Sequence, residues 1–144
     1  MGLKFGGKII YSRLFAELLL PLISQVPNDY VLMPVPLHQS RLRMRGYNQA
    51  YEIAKEISKS SKRKLDTALI RQKNTAMQAQ LELKHRAKNV SKAFAVDQPL
   101  INKNILLVDD VMTSGNTLKE CAKTLKKAGA TDVRVLVFAR KSMN

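Results

Sequence analysis

Apolar positions along the chain fall into two kinds of pattern: stripes at helical spacing, and short unbroken runs. Residues 30–35 (YVLMPV), 105–108 (ILLV) and 133–139 (VRVLVFA) are runs of β-formers too short for a helix, and they predict buried strands of a parallel sheet. In residues 9–23, Ile10, Leu14, Leu18 and Leu22 recur every four positions, with further apolar neighbours, and predict a helix with a wide apolar face centred on them, bent or ended by Pro21. Tyr47, Ala50, Tyr51, Ala54 and Ile57 predict a second helix over 47–59, with both tyrosines in the core. Leu118, Cys121, Ala122 and Leu125 predict a third, opened by Thr117 and stopped at Gly129. Asn28 and Asp29 supply a turn before the first strand. Residues 66–71 read as a short strand or its approach, and 93–96 as a small edge strand. Strands alternating with helices make this an α/β chain: three layers, a mainly parallel sheet flanked by helices, in a single domain over 1–144.

The stretch that organises the rest is 105–118, ILLVDDVMTSGNTL. A buried strand runs into Asp109 and Asp110. A loop of small or hydroxyl-bearing residues follows, and then a helix. Backbone N–H groups at such a helix start converge on one point, and the dipole adds roughly 0.3–1 kcal/mol for a bound phosphate. Two carboxylates beside an anion cradle would weaken it unless something offset their charge. Ribose hydroxyls, which donate to carboxylates, are one solution, and Mg²⁺, held between carboxylates and phosphate oxygens, is another. The motif therefore asks for a sugar phosphate with a metal. Neither a Gly-Lys-Ser/Thr nor a Gly-x-Gly-x-x-Gly pattern is present, which excludes a P-loop and a dinucleotide fingerprint. An ordinary crossover whose Asp pair only caps the helix would show the same local pattern.

A second informative stretch, 34–48 (PVPLHQSRLRMRGYN), places Arg41, Arg43 and Arg45 at alternate positions in a loop beyond the first strand, before Gly46 opens the next helix. Guanidinium groups fork onto phosphate oxygens. In a parallel sheet this loop lies on the same edge as Asp109.

Charge adds a partner to the picture. Lys and Arg number 25 against 11 Asp and Glu, a formal net charge of +14. One phosphorylated ligand does not require that much, so a polyanion or an acidic partner is expected, with a plain solvated surface as the alternative. The single cysteine, Cys121, reads as a buried small hydrophobe; with two histidines it builds neither a disulfide framework nor a four-ligand zinc site, which makes a cytoplasmic setting the default. The longest apolar stretch, 14–26, is interrupted by Glu17, Pro21 and Ser24 and is too short to span a bilayer.

The Asp109-Asp110-Val111-Met112-Thr113-Ser114-Gly115-Asn116-Thr117 run resembles the signature of type I phosphoribosyltransferases, which bind 5-phosphoribosyl-1-pyrophosphate (PRPP). The resemblance extends to the ComF (ComFC) competence-protein family through Val35-Pro36-Leu37-His38, Arg45-Gly46-Tyr47-Asn48-Gln49-Ala50, Thr75 with Gln78 or Gln80, Arg86 with Asn89, Ala93-Phe94 and Ala139-Arg140. Members of that family have a phosphoribosyltransferase domain and are associated with DNA uptake in natural transformation. Many carry an N-terminal cysteine-rich zinc ribbon that this chain lacks.

This resemblance implies a type I phosphoribosyltransferase-like fold with a PRPP site made of Leu37, His38, Arg41, Arg45 and the nine residues from Asp109 to Thr117. Asp109 and Asp110 would be the catalytic and Mg²⁺-holding pair. The polar segment 71–89 would correspond to the flap that closes over the ligand in such enzymes. Single-stranded DNA is the expected polyanion, met by Arg43, Lys62, Arg63, Lys64, Arg71, Lys73, Lys84 and Arg86. Proteins of the uptake machinery are further expected partners, which would bring a cytoplasmic protein near the inner membrane. The alternative is an active transferase that moves ribose 5-phosphate from PRPP to an acceptor, although no segment is left over to build a nucleobase hood.

Overall fold

The computed structural model describes residues 2–72, 92–112 and 114–141. Its order is α1 (Gly2–Ile23), β1 (Tyr30–Pro34), α2 (Gln39–Arg45), α3 (Gln49–Ser61), β2 (Leu69–Arg71), β3 (Phe94–Val96), β4 (Asn104–Met112), α4 (Asn116–Lys127) and β5 (Asp132–Arg140). β4 is the centre of a parallel sheet ordered β1-β4-β5, with Leu32 opposite Leu106 and Leu106 opposite Arg134. A parallel bridge from Leu32 to Leu65 extends the sheet beyond β1, fixed by Leu32 N–H donating to Lys64 O and Asp66 N–H to Leu32 O. β2 and β3 form a separate antiparallel pair.

Alternation along β4 divides the core into two layers. Leu106 and Val108 face α1 and α3, where they meet Leu32, Ala16, Leu19, Ile53 and Ile57; Ile105 and Leu107 face α4, where they meet Leu118, Cys121 and Leu125. Helices on both sides of a mainly parallel sheet are the three-layer α/β arrangement expected from the sequence. Among the described residues no helix is long and apolar enough to cross a membrane.

Four expectations about the elements change. β5, expected as a buried strand, is the edge of the β1-β4-β5 sheet, with only Leu136 buried and Arg134 and Val135 exposed. α1 is rotated away from the anticipated face: Ser12, Ala16, Leu19 and Ile23 are buried, while Ile10, Leu14, Leu18 and Leu22 are 46–66% exposed. The helix is apolar nearly all round, so a spacing of four did not single out the packed side; Phe15 stacking on Phe138 of β5 at 4.0 Å and Arg13 reaching Glu56 of α3 settle it. Residues 39–45 are a helix, not a loop. His38 caps it with an Nδ1 that accepts from Ser40 N–H at 3.2 Å, and Gly46 ends it at φ +78° where it was expected to open the next helix. Tyr47 and Tyr51 are only half-buried; α3 starts at Gln49 with Asn48 as its cap, which leaves Tyr47 ahead of the helix.

Candidate ligand cleft

Two choices by the chain direction create the site. The strand after β1 lies on one side of it and the strand after β4 lies on the other, so the β1/β4 boundary is a topological switch point, where crossovers diverge and leave a crevice. β1 also stops early. Pro34 pairs with Val108, Val35 N–H still donates to Val108 O at 2.9 Å, and Pro36 then has no N–H to continue the ladder. β4 runs on beside β5 as far as Met112 opposite Arg140. Asp109 and Asp110 thus overhang the place that β1 has vacated. The sequence reading ended this strand before the acidic pair; pairing with β5 carries it four residues further.

The crevice is a cavity of about 480 Å³. Asp109, Asp110, Val111 and Thr117 form one wall and Leu37, Arg41 and Arg45 the other, with Arg71 also lining it. Positions 41 and 45 are one helical turn apart on α2, which is why these two arginines share the cleft while Arg43 points away and is exposed. Asn48 ties the second wall down. Its Nδ2 donates to Val35 O at 3.0 Å and its Oδ1 accepts from the amides of Ala50 and Tyr51, joining the end of β1 to the start of α3. Sequence reasoning gave Asn48 no role, though its place just before the helix was the available signal.

A smaller hollow of about 50 Å³ adjoins the cleft at the start of α4, lined by Asp109, Met112, Ser114, Gly115 and Thr117 among others. Gly115 adopts φ +80°, and a Cβ there would meet only Met112 Sδ at 3.8 Å. The amides of Thr117 and Leu118 open the helix and have no intrahelical acceptor. Asn116 is exposed outside this lining, and Thr113 lies outside the described residues.

Electrostatics mark the acidic pair as unfinished. Burial, followed by hydrogen bonding with Asp110, raises Asp109 from the ordinary carboxylate range to about 7. Its Oδ1 accepts from the Asp110 amide at 2.9 Å, and Asp110 Oδ1 accepts from Val111 N–H at 2.9 Å. Burial, with Arg41 nearby, lowers the Arg71 guanidinium pKa. Behind the cleft, burial pushes the Cys121 thiol up, so it serves as the small hydrophobe the sequence indicated.

Other expected residues are placed as follows. Leu37 lines the cleft, but His38 is not among the lining residues, its ring being engaged in capping α2. Arg71, assigned from sequence to a polyanion surface, faces the cleft and lies over the Phe94 ring at 5.3 Å. Lys62 and Lys64 are exposed. Arg63 is a correction: it is 6% exposed, and its guanidinium donates to the carbonyls of Ile23, Val26 and Pro27, closing the C-terminus of α1, so it is not available to a polyanion. Lys73, Lys84, Arg86 and the expected flap fall outside the described residues. Among the described residues no group of three or more His, Cys, Asp or Glu side chains is placed to hold a metal.

Residues 42–143 match the phosphoribosyl transferase domain. The chain is 33% identical to Competence protein F of Haemophilus influenzae over 95% of its own length and 64% of that protein, and 34% identical to DNA utilization protein YhgH of Escherichia coli K12 over 81% of its length and 51% of that one. It therefore spans about half to two-thirds of these curated relatives. Competence protein ComFC of Streptococcus pneumoniae is 27% identical over 95% of the chain and 60% of that protein. A hypoxanthine-guanine phosphoribosyltransferase from Bacillus anthracis superposes with a TM-score of 0.58 at 13% identity, covering 94% of this chain and 70% of that one, and shares the fold. The chain belongs to the phosphoribosyl transferase domain family and is related, within it, to proteins named Competence protein F and ComFC.

Proposed function

We propose that the cleft binds Mg²⁺-PRPP, in a protein that handles single-stranded DNA during DNA uptake. The observation that carries this reading is the joint placement of Arg41, Arg45 and the Asp109-Asp110 pair around one cavity, with a small hollow beside it at the start of α4. PRPP has three parts in a fixed order, and the cleft offers a matching series. The Gly115 hollow suits the 5-phosphate, whose charge the helix start favours. The acidic pair suits the ribose hydroxyls. Arg41 and Arg45 suit the pyrophosphate, with guanidinium forks matched to phosphate oxygens.

The donor set also fits Mg²⁺. Two adjacent carboxylates, one of them held near pKa 7 by burial, gain from a nearby cation, and the lack of a third protein ligand among the described residues suits a metal that keeps waters and takes substrate phosphate oxygens. Asp109 and Asp110 would hold it, and it would supply charge neutralisation at the pyrophosphate. The DNA part of the reading is supported by the +14 net charge and by the names of the relatives.

Calorimetric titration with PRPP, with and without Mg²⁺, tests the cleft. The expected result is saturable, Mg²⁺-dependent binding that Asp110→Ala weakens at least tenfold, with general affinity for single strands retained. Unchanged PRPP affinity in a folded Asp110→Ala protein would overturn it. Pyrophosphate release on adding a base would place the chain among active transferases.

A further inference from the structure

α2 separates two cavities. Arg41 and Arg45 face the Asp109 cleft; Leu42 and the Gly46 cap face a second cavity of about 380 Å³ on the other side, between α2, the first turns of α3 and the start of β2. Its size falls in the range of small-molecule pockets, about 300–1,000 Å³. Leu37, Leu42, Tyr47, Tyr51 and Leu69 make it largely apolar. Neither Asp109 nor Asp110 lines it, so a ligand here is not positioned to attack a sugar held by that pair.

Its polar groups are few. Asn48 is already engaged with Val35 O and the Ala50 and Tyr51 amides. The others are the hydroxyls of Thr67, Tyr47 and Tyr51, which donate or accept and so do not choose between bases, and the half-buried Glu52 carboxylate, which only accepts and makes no ion pair among the described residues. Two aromatic rings, aliphatic side chains and one acceptor-only carboxylate suit a flat ring system with donors on its edge. Among the nucleobases, guanine presents two adjacent donors, N1–H and N2–H, to a carboxylate. Adenine and cytosine offer one amino group beside an acceptor, and thymine sets its N3–H between two carbonyls that a carboxylate repels.

We propose that this pocket takes a guanine base, presented by a single strand whose phosphates follow the exposed Arg43 side of α2. Only the source of the base rests on the DNA-handling reading; the preference for guanine rests on the pocket. Stacking on aromatic side chains supplies sequence-tolerant affinity, and Glu52 adds the selection.

The test titrates the full chain with guanosine, adenosine and thymidine, then with oligothymidylate and same-length strands carrying guanines, following tyrosine fluorescence and strand anisotropy. Guanosine should bind roughly tenfold tighter than thymidine, and guanine-containing strands should outbind oligothymidylate by a similar factor. Glu52→Gln should erase both preferences and leave the salt dependence of strand binding and the affinity for Mg²⁺-PRPP unchanged. Tyr51→Ala should weaken all the nucleosides together, by roughly tenfold, without altering their ranking. Equal affinity for guanosine and thymidine, or a preference that survives Glu52→Gln, overturns the pocket assignment. Guanosine selection with strands that show none overturns the strand as its source. A guanine preference lost in Glu52→Gln in a protein that fails to bind PRPP would refute the cleft reading and leave this one standing.

Discussion

The two ends of the parallel sheet treat their charges in opposite ways. At the amino ends of the strands, Arg63 caps three carbonyls, Tyr30 donates its hydroxyl to Asp132, Asn104 donates to Asp29 at 2.6 Å, and Lys103 reaches Asp66 at 3.3 Å. At the carboxyl ends, Arg41, Arg45, Asp109 and Asp110 make no ion pair among the described residues and face a cavity. Charges answered within the chain hold the fold together. Charges that face the cavity are those the proposed ligand would answer, and that difference, more than residue type, sets Arg63 apart from Arg41 and Arg45.

Exchanging the arginines for neutral residues gives the largest contrast. Arg63→Met leaves three carbonyls at the end of α1 without their donor and should lower the unfolding free energy by about 3 kcal/mol, seen as a lower urea midpoint at unchanged slope. Arg41→Ala should move stability by less than about 0.5 kcal/mol while weakening Mg²⁺-PRPP binding roughly tenfold or more. A stable Arg63→Met protein that had lost PRPP affinity would reverse the assignment of the two edges.

The acidic pair gives the next effect, through pH. Asp109 titrates near 7 in the folded protein and at about 3.9 when unfolded. The folded state therefore holds this proton more tightly, so the contribution of Asp109 to stability is full below about pH 4 and is lost as pH rises toward 7. The ligand-free protein should lose on the order of 3 kcal/mol of stability over that window relative to Asp109→Asn, which lacks the titration. Parallel pH profiles for the two proteins, from urea melts at each pH, would mean that Asp109 is solvated and the cleft is not preformed.

How much of this the sequence disclosed depends on the kind of pattern. The apolar runs gave β1 and β4, because a buried parallel strand must be apolar on both faces, and they located β5 as a strand but not its edge position, where only Leu136 is buried; the small-residue loop before Thr117 gave the helix start at α4. The direction of α1 was hidden, since a helix apolar on nearly every side carries no periodic signal; its tertiary partners, among them Ile53 and Ile57 of α3 and Phe138 of β5, choose the face. Arg63 was unreadable for a related reason. In a Ser-Lys-Ser-Ser-Lys-Arg-Lys run nothing local distinguishes the one cation that turns inward, and what draws it there is the unsatisfied end of α1, nearly forty residues earlier in the chain. Arg41 and Arg45 were expected beside Asp109 as loop residues; they do line the cavity there, but it is the helical turn between them that gives them a shared face.

Two glycines repeat the contrast between the edges on a smaller scale. Gly129, in the turn leading to β5 at the amino edge, has φ +106°, and a Cβ there would lie 3.2–3.3 Å from Ile101 side-chain and backbone atoms. Gly129→Ala therefore combines left-handed strain with a contact that backbone cannot relieve. Gly115→Ala, whose Cβ would meet only Met112 Sδ at an ordinary 3.8 Å, carries the strain alone and should be less destabilising by about 1 kcal/mol, while reducing PRPP affinity through the hollow at the start of α4.

The smallest effect concerns which edge meets a polyanion. Arg43 on α2 and Lys64 at the amino edge are both exposed, but Lys64 lines a hollow that also contains Asp29 and Asp66, whereas Arg43 shares a short helix with two further arginines and no acidic residue. Each phosphate contact removed should flatten the slope of log K against log salt for a single strand by about 0.7. Arg43→Gln should produce that change and Lys64→Gln less than half of it. If Lys64→Gln flattened the slope more, the strand would cross the amino edge, and the internally answered charges there would serve binding as well as folding.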